Sequence, residues 1–155
     1  MTDSAADSAA DSAADPAAAF QARLDAVTMP PSVPPGVRLE LLRARLQPGK
    51  AGRTDEWMRM LNDRYDECVA TLPRERVAFE SIFRSTDPDG TEWLYHLSVY
   101  GAGGGVLDET SGSIDADHAA FSRECKERGW EILAPQFFLA TEDVRDVMER
   151  AATRP

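Results

Sequence analysis

RVAFESIFRSTDPDGTEWLYHLSVYG, residues 76–101, holds two apolar-rich runs separated by Asp, Pro and Gly. The runs 76–84 and 92–101 are rich in aromatic and β-branched residues, which predicts two strands. Between them, Asp87-Pro88-Asp89-Gly90 suits a type I turn, with Gly90 left-handed and a G1 bulge closing the hairpin. That turn sets Asp87 opposite Thr91 and so fixes the register. Ser85 then faces Trp93, Phe83 faces Tyr95, Ser81 faces Leu97 and Phe79 faces Val99, all on one side of the sheet. Arg84 with Leu94, Ile82 with His96, Glu80 with Ser98 and Ala78 with Tyr100 share the other side. The first set is mostly apolar and is expected to pack on helices. The second mixes polar and apolar groups and is expected to be the open face.

Outward from the hairpin, VRLELLRARL (37–46) reads as a strand stopped by QPGK. TDEWMRMLNDRYDECVATL (54–72) reads as a helix capped by Thr54, with Trp57, Leu61, Tyr65, Cys68 and Leu72 along one stripe and Pro73 ending it. SIDADHAAFSRECKERG (113–129) is a second helix, capped by Ser113 or Asp115 and stopped at Gly129. WEILAPQFFLA (130–140) is an edge strand interrupted by Pro135, and TEDVRDVMERAA (141–152) a last helix capped by Thr141. The order β-α-β-β-α-β-α predicts an α+β fold. Its first six elements match the ferredoxin-like arrangement, an antiparallel sheet with helices on one face, to which a C-terminal helix is added.

One folded domain preceded by a disordered tail and linker is expected. Residues 1–36 open with DSAADSAADSAAD, which has little to bury and should be disordered, and end in the Pro-rich linker MPPSVPPG. Residues 37–152 form the folded domain. A net charge of -10 disfavours nucleic acid and anionic membranes as partners. No run approaches the roughly 18 apolar residues of a membrane span, and the N-terminus shows no secretory signal. Cys68 and Cys125 have no metal-type spacing, so a cytoplasmic protein with reduced thiols is expected.

The candidate chemistry centres on His96 and Glu80. A carboxylate beside an imidazole orients the ring and supports acid/base work near neutral pH. Tyr100 would donate a proton or polarise a carbonyl. Ser98, Ile82, Leu94, Glu40, Leu42 and His118 are candidate ligand-binding residues around them. The first five come from the mixed sheet face. His118 shares a stripe with Phe121 and Cys125 on the second helix, which suits a core or capping histidine or one that reaches over the sheet end toward the pocket mouth. A metal would have to draw on His96, His118, Glu80 and Asp115 or Asp117, without HxH or HExxH spacing, so no metal and no cofactor is expected. GAGGG (101–105) fails the GxGxxG pattern and is read as a flexible lid.

EW (56, 57), FESIF (79–83), WLYHLSVYG (93–101) and SIDADH (113–118) resemble the signature blocks of an uncharacterised bacterial family. The layout also resembles the dimeric α+β barrel superfamily, which includes antibiotic-biosynthesis monooxygenases, polyketide cyclases, mutarotases and haem-degrading enzymes. That resemblance implies a homodimer in which two open sheet faces close a barrel around a small-molecule ligand. The expected function is a cofactor-independent cyclase or isomerase with His96 as base. A cofactor-free monooxygenase and a non-catalytic ligand-binding or regulatory dimer are the alternatives.

Overall fold

The hairpin forms as its turn dictates. The Asp87 amide donates to the Thr91 carbonyl at 2.8 Å, and the Gly90 amide to the Asp87 carbonyl at 2.9 Å. Gly90 takes φ +85°, a conformation open to glycine and costly for other residues. The computed structural model describes residues 15–101, 104, 110 and 112–153. The Asp/Ser/Ala repeat falls almost wholly outside them, as does most of GAGGG.

The elements in chain order are α1 (Pro16–Asp25), β1 (Val37–Arg45), α2 (Ala51–Asp63), α3 (Tyr65–Glu75), β2 (Val77–Thr86), β3 (Glu92–Gly101), α4 (Ile114–Cys125), β4 (Glu131–Leu133) and α5 (Glu142–Thr153). The four strands form one sheet in the order β2-β3-β1-β4, each neighbouring pair antiparallel. The predicted pairs from Ser85–Trp93 to Phe79–Val99 and from Arg84–Leu94 to Glu80–Ser98 are all present. The exception is Ala78. A bulge between Val77 and Phe79 takes it out of the ladder, and Val77 faces Tyr100 instead.

The expected α+β barrel is not formed. The sheet is open, with β2 and β4 as separate edges. β4 is only three residues long, because Pro135 cannot donate to a ladder and the chain leaves the sheet before it. Helices also lie against both faces rather than one. Leu46, Trp57, Leu94 and Cys125 bury together, with Ile82 and Phe121 packed around them, so α2 and α4 cover the Leu94 face. Val37, Val99, Met148 and Ala152 form a second cluster, with Val33 and Met29 of the Pro-rich segment joining it, so α5 covers one end of the opposite face.

The face assignment is therefore the reverse of the expected one. The mixed set Leu94, His96, Ile82 and Leu42 looks toward α2 and α4, and Leu94 is 1% exposed. The more aromatic set keeps Phe79 and Phe83 in solvent, Phe83 at 55%. Aromatic count misleads here. Leu42, Ala44 and Leu94 are compact enough to let helices close in, whereas the aromatic side is covered by α5 only at its Val99 end.

The helical reading also needs revision. Residues 54–72 are not one helix but parts of two, divided at Arg64 (φ -106°, ψ 31°). Thr54 lies inside α2, where its hydroxyl donates to the Lys50 carbonyl at 3.0 Å. Pro73 sits within α3, which ends instead at left-handed Arg76 (φ 55°). Ser113 caps α4 as expected, its hydroxyl accepting from the Ala116 amide at 3.1 Å.

Gly101 marks the tightest packing, because a Cβ there would overlap the backbone of Ala152 in α5. Gly101→Ala is expected to lower unfolding free energy by about 1–3 kcal/mol, the usual cost of overpacking. Gly52→Ala, in open space within α2, is expected to raise it by roughly 0.5 kcal/mol. Urea unfolding of the two variants checks both signs.

Candidate functional site between sheet and helices

Alternation along β3 places Leu94, His96 and Ser98 on the helix-covered face, and register brings Ile82 and Glu80 of β2 beside them. His96 Nε2 stands 3.3 Å from Glu80 Oε2 and 3.5 Å from Ser98 Oγ. The His96 side chain is 17% exposed and that of Glu80 34%, so the pair lies at a mouth rather than in a sealed core. The hydrogen bond from His96 holds the Glu80 carboxyl below its usual range, against the opposing effect of burial.

Helix α4 supplies the second imidazole. Its N-cap and the His118, Phe121 and Cys125 stripe turn His118 toward the sheet, where its ring centroid lies 6.4 Å from that of His96. Trp57 meets the His118 ring edge-on at 5.1 Å. Burial, with His96 adding a smaller effect, pushes His118 down to about 4, so this ring is neutral at pH 7. Trp130, just before β4, brings its ring to 6.3 Å from His96.

Glu80, His96, His118 and Trp130 line a cavity of about 300 Å³ between the sheet and the helices. Leu42, Glu80, His96 and Tyr100 form the sheet side. Leu61 of α2, Cys68, Thr71 and Glu75 of α3, and Ile114, Asp115, His118 and Ser122 of α4 form the other. Burial raises Tyr100, which therefore keeps its phenolic proton at neutral pH. Burial likewise raises Glu75. Two arginines of the α2–α3 segment clamp α4 over the cavity. Arg64 pairs with Asp117 and with Glu67, and Arg74 pairs with Asp115 at 2.5 Å and with Glu75 at 3.5 Å.

A family model described as a family of unknown function (DUF6176) matches residues 37–146. The chain belongs to the DUF6176 family. Neither the curated proteins nor the solved structures contain a match. DUF6176 membership gives no activity, and the further resemblance to dimeric α+β barrel proteins is not supported by the open sheet. The cyclase or isomerase expected in a barrel chamber, with its monooxygenase and ligand-binding-dimer alternatives, falls with that chamber. His96 and Glu80 do pair, but beneath helices, not on an open sheet face.

Of the residues singled out in this DUF6176 chain, His96, Glu80, Tyr100, Leu42 and His118 line the cavity. Ile82 and Leu94 belong to the core beside it. Ser98 is buried and touches His96. Glu40 is buried against Arg38, at 2.6 Å. Trp130, Thr71, Glu75 and Ser122 were not anticipated. Thr71 and Glu75 follow Cys68 at i+3 and i+7, a helical spacing that could have found them. Among the described residues, no group of three or more His, Cys, Asp or Glu is placed to hold a metal ion, and no helix is long and apolar enough to cross a membrane.

The depressed His118 has a sign that can be tested. A histidine whose folded value is about 4 binds fewer protons than the unfolded chain between pH 6.5 and 4. Stability is therefore lost as pH falls through that window, by up to about 3 kcal/mol from this group. Glu80 adds a loss of the same sign at lower pH. His118→Gln is expected to flatten the decline between pH 6.5 and 4, measured by urea unfolding at several pH values.

Proposed function

We propose that the chain binds a small polar molecule in the sheet–helix cavity, held between His96 and His118. Glu80 and Ser98 orient His96. Neutral His118 accepts a hydrogen bond from the ligand, and Tyr100 donates one. Leu42 and Trp130 supply apolar walls, the usual composition of a small-molecule site. The observation that carries this reading is the convergence of two imidazoles, one partnered by a carboxylate and one kept neutral, on one cavity.

A second copy of the chain is the proposed protein partner, on the opposite side of the sheet. Phe79 and Phe83 there, with Phe137 and Leu139 of the segment before α5, leave large apolar side chains in solvent, Leu139 at 82%. Phe79 and Phe83 share one face of edge strand β2, and exposed apolar groups clustered in this way mark association sites.

The ligand reading is tested by following both imidazole ring signals by NMR against a set of polar metabolites. A binder is expected to shift both rings, and His96→Gln or Glu80→Gln to weaken it on the order of tenfold, the scale of one lost charge-assisted hydrogen bond. Binders that respond to neither substitution would remove the site. For the dimer, light scattering is expected to give twice the chain mass for wild type and the chain mass for Phe83→Glu. A monomeric wild type would refute it.

A further inference from the structure

A second cavity of about 300 Å³ lies where β1 and β3 meet the segment between α4 and β4, lined by Arg43, Arg45, Trp93, Glu127, Arg128 and Glu131 among others. Strand register puts Arg45 opposite Trp93, with Arg43 two residues along the same face. The Trp93 indole is fixed, since its Nε1–H donates to Asp87 Oδ2 at 2.8 Å. Both guanidinium groups lie over that ring, Arg43 at 4.3 Å and Arg45 at 5.3 Å from its centroid. Stacking of this kind holds the planar fork in place while leaving its N–H edges free to bind.

The two arginines differ in what else they touch. Arg43 is tied to Glu131, at 2.8 Å. Arg45 forms no ion pair among the described residues, and neither does Arg128. Arg128 is brought to the same cleft by the turn after α4. There the Glu127 amide donates to the Arg45 carbonyl at 2.8 Å, and Gly129 turns the chain at φ +90°. Three arginines face two glutamates, an excess of positive charge on a chain whose net charge is -10.

We propose that this cleft binds the oxyanion of a small molecule, a phosphoryl or carboxylate group, through the unpaired forks of Arg45 and Arg128. Arg43 and Glu131 form the cleft's fixed wall. Trp93 is the rigid platform that sets the Arg45 donors toward the cleft. Arg43, Arg45 and Trp93 lie on the sheet face opposite His96, and Trp130 lines both this cleft and the two-histidine cavity.

The test follows the three indole N–H signals by NMR while inorganic phosphate or acetate is added at matched ionic strength, with chloride as the control. Saturable movement of the Trp93 signal is expected with one of the two anions and not with chloride, while buried Trp57 stays unmoved. Tighter binding of phosphate assigns a phosphoryl group, and tighter binding of acetate a carboxylate. Arg45→Gln and Arg128→Gln are each expected to weaken binding on the order of tenfold. Both side chains are exposed, so the fold should survive. Absence of saturation with either anion, or saturation that neither substitution changes, would overturn the proposal.

Discussion

Leu94 of β3 is buried against Trp57 of α2, with Leu46 and Cys125 closing the contact. Each of the four is 3% exposed or less. Fully burying such side chains contributes roughly 1.5–3 kcal/mol apiece, enough to outweigh the cost of enclosing a few polar groups nearby. Because strand side chains alternate, the contact commits more than Leu94. His96 and Ser98 follow it to the same face, and register carries Glu80 and Ile82 with them. The polar groups of the hairpin are thus drawn under the helices by an apolar neighbour two residues away.

Enclosing those groups leaves their hydrogen-bonding and charge to be satisfied in place. His96 is held between Glu80 and Ser98. His118 sheds its proton, down to about 4, so no second charge has to be enclosed. Around the cavity, Arg64 and Arg74 reach from the α2–α3 segment to Asp117 and Asp115 of α4. These contacts couple cavity geometry to helix packing. The space between the imidazoles depends on where α4 sits, and α4 sits where Trp57 and the two arginines place it.

The hairpin was legible in the sequence because its turn is a local device. Asp87, Pro88 and Gly90 determine the register with little help from the rest of the chain. The choice of buried face was not legible in the same way. Phe79, Phe83, Trp93 and Tyr95 made their side look like the core, yet burial depends on what the helices can close upon. His118 carried the better signal, since its stripe with Phe121 and Cys125 must meet the sheet face that also presents a polar partner. The break at Arg64 was hidden because apolar spacing continues across it. The short β4 was half legible: Pro135 marks an interruption, but where the strand stops depends on pairing with β1. Closure of a barrel is a property of several strands together, and no single stretch of sequence records it.

The most direct measurement is a set of ring-to-ring nuclear Overhauser contacts in the free protein, where only two histidines, His96 and His118, need assignment. The structure predicts cross-peaks from His118 to Trp57, whose ring centroids are 5.1 Å apart, and weaker ones joining His96 to Trp130. Cross-peaks from His96 to α5 side chains such as Met148, with none from His118 to Trp57, would put the imidazoles on opposite sides of the sheet and contradict the account.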